Sequence, residues 1–188
     1  MKQNRDFRSI GYLEYGTRKQ RECYRALSSI RIFEVLTPYA PVLVGTFPLG
    51  IEVEGSDLDI VCQADNLLEF RHLLEKEYGR FSDFSIKISG ENDVLTCNFV
   101  AEGFPAEVYA SAQDPLQGNG YRHMRIEHRL LDLLGDTFKE EIIALKKAGI
   151  KTEPAFARVL GLDGDPYRAV LALENWPDDR LKSLYKVK

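Results

Sequence analysis

Two short stretches decide how this chain is read: Val44-Gly45-Thr46 and, after a loop, Gly55-Ser56-Asp57-Leu58-Asp59-Ile60. The first closes the apolar run 41–46 (Pro-Val-Leu-Val-Gly-Thr), which predicts a short buried strand ending in glycine. The second opens 57–63 (Asp-Leu-Asp-Ile-Val-Cys-Gln), a second strand. Residues two apart in a strand share a face, so Asp57 and Asp59 project together from its start. Adjacent like charges repel, and such a pair persists where it is solvated, partly protonated or bridged by a cation. Mg²⁺ and Mn²⁺ are hard ions that take carboxylate and phosphate oxygens together. The first stretch complements this chemistry. Gly45 lets backbone approach a ligand closely, Thr46 offers a hydroxyl, and loop N–H groups can cradle phosphates.

Working outward, residues 104–111 place Phe104, Ala106, Val108 and Ala110 on one strand face, with Glu107 between them. An unpaired buried Glu is costly, so Glu107 needs solvent, a partner or a metal. It is the candidate third carboxylate of a two-metal site. Each piece is commonplace alone: a Gly-Thr turn, a solvated Asp-x-Asp, a Glu on a sheet edge. The signal lies in their order, with Gly-Thr, a loop, Gly-Ser-Asp-x-Asp on a strand, a helix, then a Glu-bearing strand.

That ordered set resembles the nucleotidyltransferase superfamily of DNA polymerase beta-like fold. Val44-Gly45-Thr46 and Asp57-Leu58-Asp59-Ile60 match the first two parts of its pattern, with Gly55-Ser56 in the usual place before the first acid. Thr46 replaces the commoner Ser, and Glu107 stands where Asp is commoner. A second resemblance covers most of the chain. Gly45-Thr46-Phe47-Pro48-Leu49-Gly50-Ile51, Ser56-Asp57-Leu58-Asp59, and Tyr121-Arg122-His123-Met124 with Glu127 and Arg129 are similar to a bacterial family known as a domain of unknown function (DUF4269). These resemblances imply metal binding by Asp57, Asp59 and Glu107, which are then also the catalytic acids. They imply nucleotide contacts from Gly45, Thr46 and Ser56, and a nucleoside triphosphate as substrate. They do not name an acceptor.

The remaining chain reads as α+β: a mixed sheet with an N-terminal helix and a C-terminal helical region. Apolar spacing predicts a helix over 21–36, with Tyr24, Leu27, Ile30 and Phe33 inward, broken by Pro38. Asp65 is the expected cap of a helix carrying Leu67, Phe70, Leu74 and Tyr78 inward and stopped by Gly79. Alternation predicts further strands over 81–88 and 93–101. Helices are expected over 119–134, 136–148, 153–161, 165–175 and 177–185. The texture changes near 112–118, giving an expected core over 1–112 and a helical region over 113–188 packed on it.

Composition narrows the class. The 188 residues include 25 Lys and Arg against 29 Asp and Glu, a net charge of -4, so no strong positive field exists to hold a duplex. Nucleic acid is therefore not an expected partner. Cys23, Cys62 and Cys97 are odd in number and form no C-x-x-C pair, which argues against a disulfide framework or structural zinc. No apolar run approaches a membrane span and the N-terminus lacks a signal-peptide core, so the expectation is a cytoplasmic protein.

Other groups have plainer readings. Arg122, Arg125 and Arg129 form a helical stripe; Arg122 is the candidate triphosphate contact, while pairing with surface acids is expected for at least two of the three. His123 and Glu127 share a helix face but lack a third ligand at metal-site spacing. Lys146 and Lys147 complement a helix C-terminus before Gly149. Trp176, Tyr167 and Tyr185 are packing residues, and Asp163-Gly164-Asp165 is a turn. The expected function is Mg²⁺-dependent transfer of a nucleoside monophosphate to an acceptor, and the alternative is a non-catalytic binding or regulatory module on the same fold. The sequence does not reveal the oligomeric state.

Overall fold

Alternating hydrophobicity builds the sheet. In the computed structural model, which describes residues 5–90 and 93–185, five strands run β1 (Val42–Val44), β2 (Leu58–Gln63), β3 (Ser82–Ser89), β4 (Val94–Ala101) and β5 (Phe104–Ser111). Their spatial order is β1-β2-β5-β4-β3. Only β2 and β5 pair in parallel; the other neighbours are antiparallel. The chain after β2 crosses over through α3 (Leu67–Tyr78), returns as the β3–β4–β5 meander, and brings β5 beside β2.

One sheet face is sealed. Leu58, Ile60 and Cys62 of β2, Leu95, Cys97 and Phe99 of β4, and Ala106, Val108 and Ala110 of β5 are all buried. They pack with Phe70, Leu74 and Tyr78 of α3 and with Cys23 and Leu27 of α1 (Arg18–Ser29). The three cysteines are free, buried members of this core, and burial pushes each thiol up to about 12. They act as small apolar side chains.

The helical region covers part of the opposite face. Helices α4 (Asn119–Lys147), α5 (Thr152–Leu160), α6 (Pro166–Leu171) and α7 (Asp178–Ser183) form a second core with Val42, Val44, Leu49 and Ile51. Alternation in β1 divides its side chains, so Val42 and Val44 meet α4 while Leu43 joins the first core. None of the helices in the described residues is long and apolar enough to cross a membrane.

Two local expectations change. The predicted helix over 21–36 is two pieces: α1 stops at Ser29, Arg31 turns left-handed (φ 54°), and a short α2 (Ile32–Val35) follows. The reversal buries both Ile30 and Ile32, which lie on different faces of a continuous helix. Asn66, not Asp65, caps α3, its side-chain oxygen accepting from Glu69 N at 3.2 Å. The helices expected over 119–134 and 136–148 are both present as the two halves of α4, parted at Gly135, whose φ of 80° interrupts the helix where the sequence reading placed the break. The first four residues of the N-terminal stretch lie outside the described residues.

Candidate functional site

Strand register assembles the acids. Asp59 of β2 lies directly across from Glu107 of β5 in the parallel pair. Since Ile60 and Val108 point into the first core, Asp59 and Glu107 point together to the opposite face. Neighbouring strands lie ~4.8 Å apart, which sets the scale of their approach. Asp57 precedes Asp59 by two residues and is exposed at the mouth of the same face. All three line a cleft of ≈ 740 Å³ between the open sheet face and the helices.

The backbone around Asp59 is shaped for it. Gly45 follows β1 with a φ of +74°, and a β-carbon there would collide with Asp59 Oδ2. Gly45 thus makes room for a carboxylate of the protein itself, a use different from the ligand approach expected of it. Beyond it, the Thr46 carbonyl accepts from Leu49 N at 3.1 Å and Ile51 N at 3.3 Å, folding the loop on itself. Gln20 Nε2 donates to Phe47 O at 2.8 Å and Arg5 to Pro48 O at 2.8 Å, fixing that loop from outside. Ser56 Oγ accepts from Val53 N at 3.0 Å and closes the turn that leads into β2. Gly45, Thr46 and Ser56 all line the cleft.

The cleft disfavours ionised carboxyls. Burial, then the charges of Asp57, Glu107 and Glu153, push Asp59 up to about 7, with Lys146 opposing. Burial and then Asp57 also raise Glu107. Among the described residues, no three His, Cys, Asp or Glu side chains lie close enough to enclose a metal ion as they stand. The donor set of Asp57, Asp59 and Glu107 is all oxygen and over-supplied with negative charge. In chemistry it fits a hard divalent cation.

Arg122 is placed elsewhere. Its guanidinium makes a forked bond to Glu174, with Nη2 to Oε2 at 2.6 Å, and it is not part of the cleft lining. Arg129 reaches Asp178 and the carbonyls of Glu174 and Trp176. Two of the three stripe arginines thus fasten α4 to residues 174–178, up to the first residue of α7, while Arg125 is exposed. His123 Nε2 sits 2.9 Å from the Tyr167 carbonyl, so that nitrogen carries the proton and donates.

Sequence reasoning missed the opposite wall. Glu127 is 3% exposed and its carboxyl is pushed up to about 8 by burial and then by Glu153. Lys146, read from sequence as a helix-end charge, is buried at 9% exposure, and its Nζ donates to Thr152 Oγ1 at 2.8 Å. Burial lowers its pKa against the pull of Glu127, Glu153, Asp57 and Asp59. Spacing held the signal. Met124, Glu127 and Leu131 fall on one helical stripe, as do Phe138, Ile142 and Lys146, so each charge occupies a position that packs inward.

The family described as domain of unknown function (DUF4269) matches residues 25–173. The chain belongs to the DUF4269 family. The match runs from within α1 through the sheet and both cleft walls to the end of α6. No curated protein matches the sequence. Among solved structures, this DUF4269 chain is similar to the polymerase core of TRAMP, an RNA surveillance complex, at 17% identity and a TM-score of 0.50, over 92% of this chain and 59% of that one. It is similar to the GLD-2/RNP-8 complex at 13% identity and a TM-score of 0.53, over 89% and 65%. It is also similar to Cid1 poly(U) polymerase with MgGTP bound, at 11% identity and a TM-score of 0.51, over 80% and 47%. The chain spans about half to two thirds of the length of these structures. At such identities the likeness establishes the fold, that of the DNA polymerase beta-like nucleotidyltransferases.

Proposed function

We propose that the chain is a metal-dependent nucleotidyltransferase. The observation that carries this reading is the pairing of Asp59 with Glu107 across β2 and β5, with Asp57 beside them in one cleft. Asp57, Asp59 and Glu107 would hold Mg²⁺ or Mn²⁺. Bound there, divalent ions would supply positive charge that offsets a triphosphate and stabilises charge developing on the attacking and leaving oxygens. Gly45, Thr46 and Ser56 line the phosphate side. An acceptor hydroxyl attacks the α-phosphorus, a new P–O bond forms, the bond to the bridging oxygen breaks, and pyrophosphate leaves. Glu107 takes the hydroxyl proton. Holding the two reactants in line in one cleft lowers the entropic barrier. MgGTP bound to the structurally similar Cid1 poly(U) polymerase supports the choice of ion and nucleotide class.

The test is labelling. The protein is incubated with Mg²⁺, an α-labelled nucleoside triphosphate and cell extract, and label should appear on an acceptor. Asp59→Asn should abolish it while the melting transition persists. Equal labelling by both proteins overturns the reading. A binding module without turnover is the second reading, favoured by the spread of the three acids. Its signature is a Mg²⁺-triphosphate thermal shift with no label on any acceptor.

A further inference from the structure

The inner end of the cleft holds a buried carboxyl without a partner. Glu127 lines the cleft at 3% exposure, and its Oε1 makes no hydrogen bond. A buried polar atom left this way destabilises the fold unless something supplies a donor. The nearest candidate inside the protein does not. Lys146 donates to Thr152 Oγ1, and among the described residues it forms no ion pair with Glu127 or with Glu153. Glu153, in the first turn of α5, lines the same end of the cleft and acts on Glu127 as a like charge.

We propose that this inner end is a subsite for the ammonium group of an amine-bearing small acceptor, with Glu127 and Glu153 as its carboxylate partners. An ammonium brings three donors and no acceptor, which is what the orphaned Oε1 lacks. It also carries the charge the cleft is short of. Five carboxyl side chains line it against two lysines, Lys146 and the exposed Lys151. A loaded donor site does not cure this, because divalent cations that hold a triphosphate largely balance the triphosphate itself. The wall formed by Glu127 and Glu153 keeps its excess. A phosphate-rich acceptor would be repelled there, and a neutral polyol would supply donors without charge. The cleft volume of ≈ 740 Å³ lies in the range of small-molecule sites. The word acceptor rests on the nucleotidyltransferase reading; the ammonium site itself does not.

Isothermal titration of the metal-free protein at pH 8 tests the site, with spermidine as the cationic probe and 1,8-octanediol as its neutral counterpart of equal chain length. Spermidine should bind at least tenfold more tightly than the diol. Glu127→Gln and Glu153→Gln should each weaken spermidine at least fivefold, whereas Glu140→Gln on the exposed outer face should not. Should Glu127→Gln fail to fold, Glu153→Gln carries the comparison. Equal affinities for the two probes, or unchanged binding by the folded Gln variants, overturn the proposal. So does an oligoribonucleotide that displaces spermidine from wild type and binds more tightly than it. A thermal-shift titration with Mg²⁺ and a non-hydrolysable triphosphate is run in parallel. No shift there, with spermidine discrimination intact, overturns the nucleotidyltransferase reading alone. A shift without discrimination overturns the ammonium site alone.

Discussion

Gly45 and Asp59 fill one space: the position of a β-carbon on the glycine is taken by the carboxylate of the aspartate. The loop after β1 and the start of β2 are therefore fitted to each other through the acid itself. A side chain at Gly45 has two obstacles, the positive φ and the carboxylate.

Gly45→Ala tests that fit. The left-handed backbone alone costs about 1 kcal/mol for a residue with a β-carbon. Displacing Asp59 adds to it, so a total of about 2–3 kcal/mol is expected. Gly103→Ala is the control, because Gly103 shares a positive φ of 80° and has nothing within 4 Å of the added carbon. Thermal melts of both variants should show Gly45→Ala lower by several degrees, and only Gly45→Ala should lose the response to Mg²⁺ and triphosphate.

Asp57→Asn removes one charge from the mouth of the cleft. Without metal the variant should melt at or slightly above wild type, since Asp57 raises the protonation of both Asp59 and Glu107. Ligand at 100 times its dissociation constant stabilises the native state by about 2.7 kcal/mol. For a chain of this size each kcal/mol moves the melting temperature by about 2–4 °C. Wild type should gain several degrees with Mg²⁺ and a triphosphate, and Asp57→Asn little. A metal-free variant that melts well below wild type would make Asp57 a structural residue.

Glu127 gives the protein a pH dependence of definite sign. Its folded value of about 8 lies above the ordinary 4.5, so the folded state holds a proton that the unfolded chain releases. The stability this confers is complete below 4.5 and is lost as pH rises to about 8. Glu127→Gln has no proton to lose. Chemical denaturation from pH 4 to 9 should show the variant gaining on wild type across that window, by up to about 1.4 kcal/mol for each step of one in pH, and then levelling. A constant difference across the window would mean that Glu127 ionises normally.

Arg122→Ala separates anchoring from phosphate binding. The Arg122–Glu174 pair is partly exposed and screened by solvent, so its loss should lower stability only modestly. Melting should fall by a few degrees while the Mg²⁺-triphosphate shift keeps its size. A shift that disappears would return Arg122 to the nucleotide.

The sheet and its acids were legible because short-range rules govern them. Alternation alone puts Asp59 and Glu107 opposite their apolar neighbours, and the order of the elements brings β5 beside β2. Pairing of two stripe arginines with acids was legible, but the identity of Arg122's partner was not, because Glu174 lies 52 residues away and no local spacing reveals such a pair. The break at Arg31 was hidden because the apolar period runs through it without a glycine or proline. Glu127 and Lys146 were within reach: charges on apolar stripes are rare unless something holds them. Helix-end electrostatics gave Lys146 an easier explanation, and that explanation concealed its burial.

Gly135 bears on one further property. The α4 segment before it carries Glu127, and the segment after it carries Lys146 and leads to Thr152 and Glu153. Asp59 and Glu107 belong to the sheet and have no share in that joint. The inner wall of the cleft is thus built from two helical segments that meet at Gly135, apart from the carboxylates on the strands. A change in the angle between the two segments would move Glu127 relative to Lys146 and Glu153 and leave the acid pair on the sheet as it is.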